Sequence, residues 1–458
     1  MTTIEFHGGR IAGDISPPPS KSHTHRALFL ASMAKGRSVI DNCLLSADTL
    51  ATMDACRAMG ATISLDGTTA TIDGGDLSAP SVTVDAKNSG TTMRLFAGIC
   101  SMFDRPVTIT GDDSLKKRPM KPLLDALSSC GATCSSNDGF PPVTIQGPNA
   151  GGPVSIAGGI SSQFITSLLL TAPMLRRDSV ITIEGEAVSA PYLDVTTHMM
   201  RLFGASAEHD GNVYTIPGGT GYRPYDYSVP SDFSSAAFPM VAAALGGQCT
   251  IRGMDPMDPQ GDKAILDILR AAGSDVSFVG REAVVRRKEL KGCDIDMGRV
   301  PDLFPVTAIL LSTAEGDSRL YGAPQLRFKE SNRIETTVRM INNLGGDAEA
   351  TEDGCVIHGV EKLKGGRIEH QGDHRIMMSA AVASVVCDGP VVMDDPECAA
   401  VSYPGFPASM SSIGLASEVL RCTRRAPNSG SRCSAEATDP ASEVSWKGFP
   451  QERPSTRK

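Results

Sequence analysis

Two kinds of helix-forming stretch alternate along the chain at a nearly constant interval. The first kind is amphipathic and ends in glycine before a short strand: DACRAMGATIS, LLDALSSCGATCS, HMMRLFGASAEH, ILDILRAAGSDVSF, RMINNLGGDAEA and SMSSIGLASEV. The closing glycines are Gly60, Gly131, Gly204, Gly273, Gly345 and Gly414, which recur every 69 to 73 residues. Glycine suits this position because it can take the left-handed conformation that ends a helix. So regular a period marks a duplicated supersecondary unit.

The second kind is apolar nearly all round, which predicts central, buried helices. These begin near Ser22 (HRALFLASMA), Ser89 (GTTMRLFAGICSM), Ser161 (SQFITSLLLTAPML), Asp232 (FSSAAFPMVAAAL), Asp302 (LFPVTAILLSTA) and Asp373 (HRIMMSAAVASVV). Between them lie β-rich stretches such as SVITIEG, PVTITGDD, QCTIRG and PVVMDD. Two helices and several strands per unit predict an α/β architecture. Pro17-Pro18-Pro19 and Tyr227 to Pro230 read as hinges, with three units between them and three assembled from the remainder.

A length of 458 residues suggests two or three domains rather than one core. Residues 1–14 lack a basic region followed by an apolar run, and no stretch of 18 apolar residues exists. Neither a signal peptide nor a membrane span is therefore expected, and the expected location is the cytoplasm. The twelve cysteines form no CxxC pair, so scattered reduced thiols are expected rather than a zinc site. The net charge of −9 argues against a nucleic-acid surface. It leaves anionic small substrates open, because charges beyond roughly 8 Å are screened at physiological salt. From Arg421 onward the sequence loses apolar periodicity, gathers prolines and carries +4, leaving −13 for the rest; residues 421–458 are expected to be a disordered tail.

Each apolar helix opens on a short polar run: SKS, NSGT, SSQ, PSDFSS, PD and GDHR. Ser, Asn and Asp are favoured helix caps, which by itself accounts for Ser20, Ser161, Asp302 and Asp373. Capping does not account for Lys21, Arg26, Lys87, His374 and Arg375 gathering at the same ends, where the helix dipole disfavours cations. An anion held between helix N–H groups and basic side chains would reconcile the two.

The runs PPPSKSHTHRALFLA, NSGTTMR, GDDSLKKRPMKPLLDAL, SSQ, SAPYLD, QGD, PDLFP, RFKESNR and GDHRIMM occur in that order. Together they resemble the motifs of the EPSP synthase family from Met1 to about Leu415. The resemblance implies an enolpyruvyl-transferase fold. This is a two-domain inverse α/β barrel of six βαβαββ repeats, three per domain, with residues 1–15 plus 230–416 as domain I and 16–229 as domain II. It implies transfer of the enolpyruvyl group of phosphoenolpyruvate to the 5-hydroxyl of shikimate 3-phosphate by a monomer. No cofactor, metal, nucleic acid or membrane is implied.

By the same resemblance, Lys21, Asp302 and Glu330 would be catalytic. Shikimate 3-phosphate would contact Lys21, Ser22, Arg26, Ser161, Ser162, Gln163, Ser189, Tyr192, Asp302, Gln325 and Lys329. Phosphoenolpyruvate would contact Lys21, Asn88, Gly90, Thr91, Arg118, Gln163, Arg333, His374 and Arg375, with Arg94 adding counter-charge. Two positions depart from the family pattern. Gln325 stands where many members have Asn, and Val401 stands where bacterial members often have a lysine. A UDP-amino-sugar enolpyruvyl transferase is the nearest alternative, but its members usually carry a cysteine in the loop aligned with GDDSLKKRP and an Asn after the first lysine. This chain has neither. A non-catalytic phosphate-ligand-binding protein on the same scaffold is the alternative from another class.

Overall fold

A computed structural model describes residues 2–421. The six apolar helices are α1 (Lys21–Met33), α3 (Gly90–Cys100), α5 (Ser162–Thr171), α7 (Phe233–Gly246), α9 (Phe304–Leu311) and α11 (His374–Ala383). They alternate with α2 (Ala47–Ala58), α4 (Lys121–Ser129), α6 (Pro191–Leu202), α8 (Ile265–Ala271), α10 (Arg333–Asn343) and α12 (Phe406–Ser411). The apolar set is buried as its composition requires: all eight residues of α9 and all ten of α11 are buried. The closing glycines of the other set all have positive φ, from 83° at Gly204 and Gly345 to 112° at Gly60. The helix-ending conformation is therefore the reason for a glycine at each closing position.

Each unit contributes one four-stranded sheet, six in all among the described residues. In one unit, Val84–Asp85 runs parallel to Val107–Thr110 across α3. After α4, Thr133–Asn137 and Phe140–Gln146 form a hairpin whose second strand pairs with Val107–Thr110. This is the βαβαββ order. The sheets are separate and do not join into one hydrogen-bonded closed barrel among the described residues. "Inverse" describes the arrangement better, with helices inside and strands outside.

Three strands reach into units distant in sequence. Tyr227–Ser228 pairs in parallel with Gly36–Asp41, and Asp14–Ile15 with Gln248–Arg252. The amino-terminal strand Thr2–His7 lies between Val391–Asp394 and Ala416–Arg421, completing the sixth sheet. Where the two linkers cross they hydrogen-bond to each other: Ser20 N donates to Pro230 O at 2.8 Å and Asp232 N to Pro18 O at 2.9 Å. The apolar core is correspondingly divided into two clusters. One draws on Ile4 to Ile15 and Phe233 to Leu415, the other on Ala27 to Val229.

The last strand extends the fold beyond residue 416. It runs to Arg421, which pairs with Thr2, so the expected tail begins one residue too early. Its remainder, 422–458, lies outside the described residues. No helix among the described residues is long and apolar enough to cross a membrane. The cysteines described are free thiols.

Candidate active site

The N-terminal ends of all six apolar helices line one cleft between the two clusters. Caps hold five of these ends. Ser20 accepts from His23 N, Ser89 from Thr92 N, Ser161 from Gln163 N, Asp232 from Ser234 N and Asp373 from Arg375 N. Asp302 departs from the cap expectation. Pro301 opens a 3₁₀ turn, Pro301–Leu303, and the Asp302 carboxylate makes no cap bond. It is turned instead toward the cleft's cations. Lys87 also departs: it sits exposed at φ 54° and pairs with Asp85 at 2.7 Å, away from the cleft.

Helix packing sets the geometry on one wall. A Cβ at Gly98 would collide with Ser167 Oγ, so only glycine lets α3 and α5 approach this closely. Ser167 Oγ donates to Arg94 O at 2.6 Å and accepts from Gly98 N at 3.0 Å. The approach carries Arg94 Nη1 to Gln163 Oε1 at 2.8 Å and Ser161 Oγ at 3.3 Å, with Phe164 beneath the guanidinium. Gln163 Nε2 in turn donates to Thr91 Oγ1 at 2.8 Å. A Cβ at Gly90 would stand 3.2 Å from Arg118 Nη1 and 3.7 Å from Gln163 Oε1, so its bare backbone leaves these polar groups open to the cleft.

Of the bases Lys116, Lys117 and Arg118, only Arg118 faces inward; Lys116 pairs with Asp113 at the surface. Arg118 donates to Asn88 Oδ1 at 2.7 Å and to Glu330 Oε1 at 3.4 Å. Asn88 does not itself line the cleft. It ties Arg118 to Asp112 and so fixes the arginine's direction.

On the opposite wall, Arg333 opens α10 behind the Asn332 cap and is only 1% exposed. It is no solvated face. Its guanidinium meets Asp302 Oδ1 at 2.8 Å, Glu330 Oε2 at 2.5 Å and Asp373 Oδ2 at 2.8 Å. Arg375 Nη2 takes the other Asp302 oxygen at 2.9 Å, and Lys329 Nζ stands 3.7 Å from Oδ1. Burial alone would push the Asp302 carboxyl up, but Arg375, Lys329 and Arg333 together hold it below the usual range. Glu330 is likewise held low, its burial outweighed by Arg333 and Arg118. Lys21 pairs with Asp48 at 3.1 Å.

Arg26 and Arg94 differ from these. Arg26 donates to Thr196 Oγ1 at 2.9 Å, Ser22 O at 3.0 Å and Tyr192 O at 3.2 Å, all neutral oxygens. Neither arginine forms an ion pair among the described residues. Burial pushes both down to about 10, so each is a desolvated cation without a counter-ion. His374 is 1% exposed, with neither ring nitrogen bonded, and burial beside Lys21 and Arg375 keeps it neutral. Gln325 is buried, donates to Gly298 O at 3.2 Å and leaves its Oε1 unpartnered. Ser22, Ser162, Ser189 and Tyr192 complete the expected set on the cleft wall, whereas Val401 does not line it.

The cleft also holds residues that sequence reasoning did not place. Asp48, Ile160, Asp232, Ser234 and Phe328 line it, and Asp262 sits directly behind. Asp232 lies in PSDFSS and Asp262 in QGD, runs whose positions were legible but whose partners were not. Asp48 follows the Ser46 cap of an ordinary amphipathic helix and carries no sequence signal.

Seven basic side chains and four carboxylates line this single cleft, an arrangement that suits two anionic ligands bound side by side. With six βαβαββ units converging on it, the molecule is of the enolpyruvyl-transferase class. The family described as EPSP synthase (3-phosphoshikimate 1-carboxyvinyltransferase) matches residues 7–410. The chain is 47% identical over 408 residues to the 3-phosphoshikimate 1-carboxyvinyltransferase of Methanocorpusculum labreanum, covering 88% of this chain and 97% of that one. It is 41% identical over 412 residues to the enzyme of the same name from Nitrosopumilus maritimus, covering 88% and 97%. A solved EPSP synthase from Acinetobacter baumannii superposes with a TM-score of 0.78 at 30% identity, over 92% of this chain and all of the other. The chain belongs to the EPSP synthase family, the transferases that move the enolpyruvyl group to shikimate 3-phosphate in aromatic amino-acid synthesis.

Proposed function

We propose that this cleft transfers the enolpyruvyl group with Asp302 and Lys21 at the 5-hydroxyl of shikimate 3-phosphate and Glu330 at C3 of phosphoenolpyruvate. The 5-hydroxyl is a poor nucleophile, and C2 becomes electrophilic only as C3 is protonated. The site must therefore remove one proton and deliver another, and each such positioning contributes roughly 10²–10⁴-fold. Addition gives a tetrahedral adduct that then loses phosphate, with no covalent bond to the protein.

The observation that carries this reading is the contrast between paired and unpaired cations. Arg26 and Arg94 lack counter-ions among the described residues, beside Ser22, Ser161, Ser162 and Gln163. This supports a phosphorylated ring held by Ser22, Arg26, Ser161, Ser162, Gln163, Ser189, Tyr192, Gln325 and Lys329. Arg118, Arg333 and Arg375 are instead paired with Glu330 and Asp302. Phosphoenolpyruvate would take over those arginines, together with Gly90, Thr91 and neutral His374, while Asn88 holds Arg118 in position. Arg forks match carboxylate and phosphate geometry.

That exchange also supplies the proton donor. With Arg118 and Arg333 engaged by the ligand, burial becomes the dominant influence on Glu330 and raises its pKa, so it can carry the proton that C3 requires. Residues 1–15 with 230–421 and residues 16–229 would be the two halves that close on the ligands. Closure would exclude water and strengthen these contacts.

The test is phosphate release by the purified full-length protein. Release is expected only when both phosphoenolpyruvate and shikimate 3-phosphate are present, with or without a chelator. Equal or faster release with UDP-N-acetylglucosamine as acceptor would assign the sister activity. Saturable binding of both ligands without turnover would make the protein a binder.

A further inference from the structure

Asp262 takes no part in the scheme above, yet it lies one hydroxyl away from Asp302. Tyr192 Oη is 3.1 Å from Asp302 Oδ2 and 3.2 Å from Asp262 Oδ2. Ser234 Oγ donates to the same Asp262 oxygen, while Asp262 Oδ1 has no partner. Asp262 is 4% exposed. The one phenol hydrogen can be given to either carboxylate oxygen, so the hydroxyl links the two groups.

The surroundings decide which carboxyl holds an added proton more firmly. Around Asp262 stand Tyr192 from α6, Asp232 and Ser234 from α7, Asp302 from the 3₁₀ turn and Arg375 from α11. Burial, then the Asp302 charge, push Asp262 up to about 6, whereas the arginines and Lys329 hold Asp302 low. Tyr192 is pushed well above its usual value by burial and keeps its hydrogen, so it conducts only by giving one proton as it takes another.

We propose that Asp262 is the final acceptor of the proton lost by the substrate 5-hydroxyl, reached through Asp302 and the Tyr192 hydroxyl. This rests on the reading of the cleft given above. As the hydroxyl oxygen bonds to C2, its O–H bond breaks and the proton goes to Asp302. The vinyl π pair meanwhile takes a proton from Glu330 at C3. Asp302 then passes its proton to Tyr192 Oη while Tyr192 passes its own to Asp262 Oδ2, which restores the Asp302 carboxylate. In the second half Glu330 recovers its proton from C3 and the bond from C2 to the phosphate oxygen breaks. The departing phosphate takes one proton, which the same chain returns, so none is gained or lost over the cycle.

The test is the pH dependence of kcat for phosphate release, from pH 5 to 9, in the full-length enzyme and its Asp262→Asn, Asp262→Glu and Tyr192→Phe variants. Asp262→Asn is expected to lower kcat by about 10²-fold, at the low end of general acid–base effects. It should leave the KM of phosphoenolpyruvate unchanged and flatten the fall in kcat between pH 7 and pH 5. Asp262→Glu should restore part of both kcat and that fall. Tyr192→Phe breaks the bridge while leaving both carboxyls, and should flatten the same limb. A wild-type acid limb in Tyr192→Phe, or wild-type kcat in Asp262→Asn, overturns the relay alone. Loss confined to KM in Asp262→Asn, with the limb unchanged, also overturns it. Wild-type protein that releases no phosphate from the two substrates overturns the reading of the cleft and the relay with it.

Discussion

Arg118 Nη1 meets Glu330 Oε1 at 3.4 Å across the cleft, the two residues being held by different apolar clusters. The side chains are 8% and 19% exposed, so the pair is largely shielded from salt. Its two members have opposite needs. Arg118 requires an anion, whereas Glu330 can donate a proton only when relieved of nearby cations.

Arg118→Ala should therefore act in two directions. Phosphoenolpyruvate binding should weaken by about 2–5 kcal/mol, the cost of truncating one partner of a buried charge pair. Glu330, losing one of the charges that hold it low, should titrate at higher pH in the free enzyme. Steady-state kinetics with phosphoenolpyruvate as the varied substrate, repeated across pH, reads both effects. Unchanged KM would remove Arg118 from the ligand site.

Asp302→Asn tests the carboxylate shared by Arg333, Arg375 and Lys329. Removing the anion leaves three buried or half-buried cations facing one another. The empty protein should lose about 3–5 kcal/mol of stability, as when a buried pair is broken. Inorganic phosphate should raise Tm more in the variant than in the wild type, because it replaces the missing charge. With saturating substrates, turnover should fall by roughly 10²–10⁴-fold. Thermal unfolding with and without phosphate separates the structural part from the catalytic part.

Gly90→Ala tests how closely a ligand approaches the start of α3. The added methyl would stand 3.2 Å from Arg118 Nη1 and 3.8 Å from Arg94 Nη1, tight but not a clash with backbone. The fold should survive, while the arginines are displaced from their positions. Overpacking of this kind costs about 1–3 kcal/mol, expected in phosphoenolpyruvate affinity rather than in Tm. A KM equal to the wild type's would show that no ligand lies against Gly90.

The repeat was legible because its signal is conformational. A helix that must stop in the left-handed region selects glycine, and the six closing glycines do take positive φ. The pairing of short strands far apart in sequence was not legible. Tyr227–Ser228 and Asp14–Ile15 are two-residue strands, too short to show alternation, and their partners are chosen by the crossing linkers. In the cleft, residues at helix starts could be read because cap chemistry and stray cations coincide there. Lys87 was misread because its backbone turns it outward to Asp85. Asp302 looked like a cap, but Pro301 opens a 3₁₀ turn and frees its carboxylate. Asp48 and Asp262 acquire their partners, Lys21 and Tyr192, only through tertiary packing.

Asp232 gives a stability prediction of opposite sign to that of Asp302. Burial pushes its carboxyl up to about 6 in the folded protein, against about 4 in an unfolded chain. Folding therefore favours the protonated form, and stability attributable to this group falls as pH rises from about 4 to 6 and stays low above that. Asparagine mimics the neutral acid and can still accept from Ser234 N, so the cap on α7 persists. Asp232→Asn should match the wild type near pH 4 and exceed it at pH 8 by up to about 3 kcal/mol, at 1.36 kcal/mol per pKa unit. Urea unfolding of the ligand-free protein at the two pH values measures the difference. A variant less stable than the wild type at pH 8 would mean that attraction between the Asp232 carboxylate and Arg375 outweighs the cost of burying it.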